Sequence, residues 1–202
     1  MTGEGIDDGP AEEATAGGSE ASGETDDAGT DEPENDGQRF DRLPATPADR
    51  TVPGRASRAE VLDWWEERYG VPPETFADHG FWEKGAGKIW AVHAAVSHPD
   101  PSGIEALGMK VLRTRQEHWK PTTDGVQRFG DAATRNVIDL QGGEAARFVA
   151  GEDQDLAWDG DWGYLIAAHD CGGERAPLGV GLYLHGELRS TVPKGRRQDR
   201  SD

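Results

Sequence analysis

The sequence predicts an α+β fold in three parts: an acidic tail at residues 1–52, a helix-plus-sheet module at 55–120 and a small β-rich domain at 121–198. Three observations lead to this prediction. A capped amphipathic helix begins at Ser57, and apolar runs typical of buried strands follow it. The last part consists of short apolar segments separated by glycine turns.

The tail is predicted to be disordered. Its residues are mostly small or acidic and Phe40 is its only aromatic residue, so it cannot bury enough apolar surface to offset the entropy lost on ordering. Residues 1–50 hold 15 acidic residues and 3 arginines, a net charge of −12 out of −18 for the whole chain. The alternative is a functional tail that mimics the charge of a nucleic acid.

The overall charge balance indicates a protein adapted to a very salty cytoplasm. Only 5 of the 21 basic residues are lysines, while carboxylates number 39. At molar salt, screening within ~3 Å removes the self-repulsion that this charge would cause. An ordinary acidic protein is the alternative. We expect a soluble cytoplasmic protein without a membrane partner, because we see neither a signal-peptide pattern nor an apolar run of about 18 residues.

One helix is predicted from its end signals. Ser57 and Glu60 have the spacing of a capping box, and Gly70 ends the segment. Between them one face is apolar, with Val61, Leu62, Trp65 and Tyr69. Trp64 lies off that face, which leaves two options: packing against a second layer, or exposure as a stacking surface.

Strands are predicted at 87–96 and 108–115. The first has apolar residues at nearly every position, so we expect it to be buried on both faces, with His93 as a core histidine. Residues 122–150 are predicted to contain two helical pieces around an extended stretch, the second piece closed by Gly151.

A hairpin is predicted near the end of the chain, after a further strand at 162–169. Its strands are 178–184 and 187–192, and the two connecting residues are His185 and Gly186. A two-residue hairpin connection requires positive φ, which glycine tolerates well and histidine less often.

Motifs for catalysis are mostly missing. We find no glycine-rich turn for a methyl donor or dinucleotide and no phosphate-binding loop. The histidines lack metal-ligand spacing, and the single cysteine, Cys171, excludes a Cys-pair zinc site. We therefore expect a protein that is not an enzyme and needs neither cofactor nor metal. A small hydrolase centred on His169 and Cys171 is a weaker alternative, because a cysteine before two glycines is typical of a turn.

Several segments resemble a known RNA-binding module. "GMKVLRTRQEHWKPT", "WGYLIAAH" and "LGVGLYLHGELRSTVPKGRR" occur in the order found in the PUA-like region of the Sun/Fmu family of rRNA 5-methylcytosine methyltransferases. That region also occurs alone, as a ribosome biogenesis factor. The resemblance spans about 57–198. It implies a pre-PUA module at 55–120 and a PUA-like β-barrel at 121–198. The methyl-donor loop and the family's catalytic cysteines are missing, which implies the RNA-binding half without the enzyme.

Two basic clusters are candidate RNA contacts. The first surrounds Trp119, a candidate for stacking on an unpaired base, and comprises Arg113, Arg115, Lys120 and Arg128. The second ends the basic segment and comprises Lys194, Arg196 and Arg197.

Two glycines form a third candidate. Gly179 and Gly181 fall on one face of a strand and leave a stripe without side chains. The resemblance implies that this stripe seats a nucleic-acid backbone, and a tightly packed barrel corner is the alternative.

These observations predict a non-catalytic protein that binds rRNA or tRNA, not DNA, and acts in rRNA maturation or ribosome assembly. Its further partners would be a methyltransferase or a pre-ribosomal particle. The alternative is an adaptor that uses the same sheet to recruit an RNA methyltransferase in trans.

The missing cofactor loop gives a direct prediction. The protein should not bind S-adenosylmethionine, because it lacks the glycine-rich turn that would hold it. Isothermal titration calorimetry measures this, and micromolar binding would contradict the non-enzyme prediction.

Overall fold

The computed structural model describes residues 39–97 and 104–197. It confirms the α+β prediction, with two five-stranded sheets and three α-helices in the described part of the chain. Residues 1–38, which make up most of the predicted acidic tail, lie outside the described residues.

The first sheet has the strand order β1-β2-β3-β4-β5 and is antiparallel throughout. Its strands are β1 (Asp41–Arg42), β2 (His79–Glu83), β3 (Lys88–His93), β4 (Met109–Arg113) and β5 (Lys120–Pro121). The second sheet has the order β6-β8-β9-β10-β7, in which β6 runs parallel to β8 and the other pairs are antiparallel. Its strands are β6 (Val137–Asp139), β7 (Gln154–Asp155), β8 (Gly163–Asp170), β9 (Arg175–Leu184) and β10 (Glu187–Ser190).

The helices are α1 (Arg58–Tyr69), α2 (Thr123–Phe129) and α3 (Gly142–Ala150). The capping box of α1 is confirmed: the Ser57 backbone N–H donates to Glu60 Oε2 at 2.8 Å, and the Glu60 N–H donates to Ser57 Oγ at 3.3 Å. Gly70 ends α1 with φ +65°, which favours glycine. In the described residues no helix is long and apolar enough to cross a bilayer.

The predicted hairpin is also confirmed. His185 and Gly186 have φ values of +53° and +89°, and they join β9 to β10 with Leu184 opposite Glu187. The strand before them, β8, pairs along most of its length with β9.

A bulge interrupts the pairing of β3 with β4. Ile89 lies opposite Leu112, but its neighbour Trp90 lies opposite Lys110, so Val111 is an extra residue on β4. Val111 and Leu112 are both fully buried. The bulge thus lets two consecutive residues of β4 enter the core.

One apolar core joins the two sheets. A single buried cluster contains Trp65, Phe76 and Leu112 from the first half of the fold together with Ile166 and Val180 from the second sheet. The ring centroids of Phe76 and Phe129 are 4.6 Å apart. The predicted boundary between residues 120 and 121 falls inside β5, and the buried cluster contains residues from both sides of it.

The predicted extent of the tail, to residue 52, is wrong. Phe40 and Leu43 are buried, and β1 pairs with β2. Arg55 further ties β1 in place, because its guanidinium pairs with Asp41 at 3.0 Å and with buried Glu83 at 2.8 Å. The two apolar side chains of this short segment find pockets on the sheet, which composition alone does not reveal.

Two further predictions are resolved by burial. His93 was predicted to be a core residue, but it is exposed, because β3 ends there. Its ring lies 6.5 Å from that of His79, and its Nδ1 accepts a hydrogen bond from the Ala95 backbone N–H at 3.2 Å. Trp64 is half-buried: it packs against Trp65 and Tyr69 of its own helix, and its ring centroid lies 6.1 Å from that of Trp119 in the segment before β5.

The burial of Phe40 generates a prediction. Phe40→Ala should lower the free energy of unfolding by roughly 3–5 kcal/mol, because a ring only 4% exposed is lost from its edge-to-face contact with Trp90. Urea unfolding measures the change. Thr51→Ala, at an exposed position of the same segment, is the matched control. Equal stability of the two variants would restore the tail boundary at residue 52.

Candidate functional site

Three cations lie side by side across three strands of the first sheet. Lys88 of β3 is opposite Arg113 of β4, and Arg113 is opposite Lys120 of β5. We call these three residues the cationic row. Their chain neighbours Ile89, Leu112 and Pro121 are buried, so the row lies on the face of the sheet directed away from the core.

The row is electrostatically unfavourable in the free protein. Like charges directly opposite each other on adjacent strands are destabilising. In the described part of the chain, none of the three cations forms an ion pair with a carboxylate. Partial burial and then the charge of Arg113 hold the pKa of Lys120 below its usual value.

Lys110 extends the row. The bulge at Val111 brings this lysine close to the row, and burial, followed by the charges of Arg113 and Lys88, lowers its pKa. Its ammonium lies 5.0 Å from the centre of the Trp90 ring. Four cations therefore share one side of the sheet.

The C-terminal basic cluster is connected to this region through one carboxylate. Arg196 pairs with Asp124 of α2 at 2.6 Å, and the negative charge of Asp124 also favours the charged form of Lys110. Arg197 packs against Gly151 and donates from Nε to the carbonyl oxygen of Val192 at 3.4 Å. Lys194 is exposed.

Arg115 and Arg128, also predicted in the first cluster, are placed differently. Arg115 is exposed just beyond β4, and its backbone packs against Gly87. Arg128 lies over the Phe129 ring. Burial and then the charge of Arg128 lower the pKa of His79, at the start of β2. The structure therefore keeps Arg113 and Lys120 together and directs Arg128 elsewhere.

The glycine stripe is a packing feature. Gly179 and Gly181 are buried, and a Cβ at Gly181 would lie 2.5 Å from Leu188 Cδ1. At Gly179 a Cβ would lie 3.3 Å from Thr123 Cγ2, and Phe148 of α3 covers both positions. The barrel-corner alternative fits this geometry, and the interpretation that a nucleic-acid backbone sits on the stripe is wrong.

Beside the row lies a cleft with a volume of about 910 Å³. We call it the aromatic cleft, because four large aromatic side chains dominate its walls. It is lined by Trp64, Trp119, Trp162 and Tyr164, by Arg68, Gln116, Glu117 and His118, and by Gly163, Leu182 and Leu184. Its volume lies in the range of small-molecule binding sites.

The end of α1 fixes one wall of the cleft. Arg68 Nη2 donates to the carbonyl oxygens of Trp162 at 2.9 Å and of Tyr164 at 3.1 Å. The Tyr69 hydroxyl donates to the same Tyr164 oxygen at 3.0 Å. Gly163, between them, has φ +104°, which favours glycine. The backbone that carries Trp162 is thus held although its side chain is not buried.

Trp119, the predicted stacking residue, does line the cleft. It is half-buried, and its ring centroid is 6.1 Å from that of Trp64. Sequence reasoning missed Trp162 and Tyr164 as its partners, since they lie more than forty residues further along the chain. It also missed Lys88 and Lys110, whose only signal was a lysine flanking or interrupting an apolar strand.

His169 and Cys171, the residues of the alternative hydrolase, make separate contacts. His169 Nδ1 lies 2.7 Å from the carbonyl oxygen of Leu140. Cys171 is exposed, and its backbone N–H donates to the Glu174 carbonyl oxygen in a turn, as predicted. Among the described residues no group of three His, Cys, Asp or Glu side chains is placed to hold a metal ion.

Two stretches of the chain match known families. Residues 25–108 match a family of unknown function (DUF7122), and residues 135–198 match the methyltransferase RsmF PUA domain. A search of curated proteins finds no match. The second match begins after α2 and covers the whole second sheet, which curls into a half-barrel. The last third of the chain is therefore a PUA-like domain similar to that of the RsmF type, as the sequence resemblance implied.

Proposed function

We propose that this protein binds RNA without catalysing a reaction and acts in rRNA maturation or ribosome assembly in a salty cytoplasm. An rRNA is the RNA we favour, with tRNA as the other candidate. A methyltransferase or a pre-ribosomal particle would be its protein partner. The match to a methyltransferase PUA domain supports RNA as the ligand class.

The cationic row is the observation on which the proposal depends. Folding places Lys88, Arg113 and Lys120 opposite one another at a cost in stability. That cost is understandable if an anionic ligand neutralises the row when it binds. Successive phosphates of a nucleic-acid strand are such a ligand, because each accepts charge-assisted hydrogen bonds from lysine and arginine.

The contrast with the rest of the chain strengthens this interpretation. The protein carries a net charge of −18, yet the row and Lys110 collect four cations on one side of a sheet. A protein that only needed solubility in salt would have no reason to concentrate positive charge there. A polyanion would be attracted to this side in preference to the rest of the protein.

The absence of a catalytic role is also part of the proposal. His169 and Cys171 are the one nucleophile-and-base pair that the sequence suggested; the His169 ring contacts the Leu140 carbonyl oxygen, and Cys171 lies in an exposed turn. A glycine-rich loop for a methyl donor is missing from the sequence as well. The proposed activity is therefore RNA binding itself.

The stability cost of the row can be measured directly. Arg113→Gln should raise the free energy of unfolding by roughly 0.2–1 kcal/mol at low salt, because it removes the charge opposite both lysines. The gain should vanish near 1 M salt, where screening acts within ~3 Å. Urea unfolding at both salt concentrations tests this. A loss of stability at low salt would show that Arg113 has a structural partner and that the row is not strained.

RNA binding by the row gives the main functional prediction. The triple variant Lys88→Gln, Arg113→Gln and Lys120→Gln should bind single-stranded RNA more weakly, with a salt slope flatter by about 2, since each phosphate contact contributes roughly −0.7 in log K against log salt. Filter binding or anisotropy over a salt series measures the slope. Arg189→Gln is a matched control, because Arg189 is exposed but already paired with Glu187 at 2.5 Å.

The C-terminal cluster is expected to contribute less. Lys194→Gln, Arg196→Gln and Arg197→Gln together should flatten the slope by about 0.7, because Arg196 and Arg197 have partners within the protein. If the row variant keeps the parent's affinity and slope, RNA binding by this face is contradicted. Crosslinking RNA to the protein in cells and sequencing it identifies the RNA class. The adaptor alternative instead predicts no RNA above background and a stable protein partner.

A further inference from the structure

The aromatic cleft contains an exposed tryptophan that packing does not explain. The Trp162 side chain is 61% exposed, and its ring contacts the edge of His185 at a centroid distance of 5.0 Å. Burying such a ring would be favourable by the hydrophobic effect alone. Yet the backbone around it accepts two hydrogen bonds from Arg68 and one from the Tyr69 hydroxyl. The ring is thus held at the surface of the cleft by a well-fixed backbone.

The remaining walls have the character of a site for a flat, partly polar ring. Trp119 and Tyr164 add two aromatic side chains, both half-buried. The segment before β5 adds exposed Gln116 and His118, whose side chains offer hydrogen-bond donors and acceptors. Nucleobases need both features, because they stack through their faces and are read by hydrogen bonds along their edges.

The cleft also adjoins the proposed phosphate contacts. The Lys120 ammonium lies 5.1 Å from the centre of the Tyr164 ring, so one residue belongs to the row and touches the wall of the cleft. Arg113, the next cation of the row, lies directly opposite Lys120. A nucleotide with its base in the cleft would therefore place its phosphate beside a cation.

We propose that the aromatic cleft binds an unpaired nucleobase of the RNA, with Trp162 and Trp119 as stacking surfaces and Lys120 at the adjoining phosphate. This inference rests on the proposed function. It adds a base site to the phosphate contacts of the row, and it makes the protein selective for single-stranded or looped RNA over a continuous duplex. At multimolar salt, where counterion release contributes little, the cleft is the main source of affinity.

Trp162 is the residue to change, because its removal should leave the fold intact. The test uses the full chain and two probes at 1 M salt: a nine-nucleotide oligoadenylate, and a chain of equal length in which abasic residues replace the bases. Trp162→Ala should weaken oligoadenylate binding by roughly fivefold to 150-fold, as expected for the loss of one base–aromatic stack. Binding of the abasic probe and the salt slope should not change.

Two further variants sharpen the result. Trp162→Phe should recover most of the affinity, because it keeps an aromatic face. Val96→Ala, at the other exposed large apolar side chain of the described residues, should behave as the parent does. Thermal unfolding of each variant checks the fold.

The failures are distinguishable. If the parent binds oligoadenylate but Trp162→Ala binds it equally well, or loses both probes equally, the base site is overturned while RNA binding by the row stands. If the parent binds neither probe at any salt concentration, the proposed function fails and this inference fails with it.

Discussion

The hydrogen bond from the Tyr69 hydroxyl to the Tyr164 carbonyl oxygen joins the end of α1 to the beginning of β8. Burial raises the pKa of Tyr69 well above its usual value, so the hydroxyl remains a neutral donor at any physiological pH. The Tyr69 carbonyl oxygen in turn accepts from the backbone N–H groups of Thr134 and Arg135 at 2.9 and 3.0 Å. The last turn of α1 is thereby fixed from two sides, and the candidate cleft is built on it.

Several features follow from this junction. Trp64, Arg68 and Tyr69 all belong to α1, so fixing the end of this helix also fixes one wall of the cleft. The packing beneath them continues through Trp65 into the core that both sheets share. A PUA-like sheet is therefore not merely attached to a preceding module. The preceding helix forms part of the surface that the sheet presents.

Features set by neighbouring residues could be predicted from the sequence, and features set by distant ones could not. The cap at Ser57, the turn at Gly70 and the hairpin at His185 each depend on a few adjacent residues, and all three are confirmed. The cationic row depends on how β3, β4 and β5 pair, and the bulge at Val111 shifts that pairing by one residue.

Long-range packing also explains the wrong predictions. Gly179 and Gly181 look like an open stripe in the strand, and side chains from other elements close it: Thr123 of α2, Phe148 of α3 and Leu188 of β10. Phe40 and Leu43 look isolated in a polar segment, and only the sheet supplies their partners. Trp119 was singled out from the sequence, but the other aromatic residues of the cleft come from distant parts of the chain, Trp64 from α1 and Trp162 and Tyr164 from around the start of β8.

The shared core also constrains how the chain reaches its native state. Tyr69 and Tyr164 are 95 residues apart in sequence, and Trp65 meets Ile166 and Val180 in one cluster. Contacts of such separation are slow to form, because the intervening loop must close before they stabilise anything. During synthesis, Trp65 and Phe76 emerge from the ribosome well before the strands that cover them. The nascent chain is therefore exposed to aggregation until translation has passed residue 180, and its first half depends on its second half for protection.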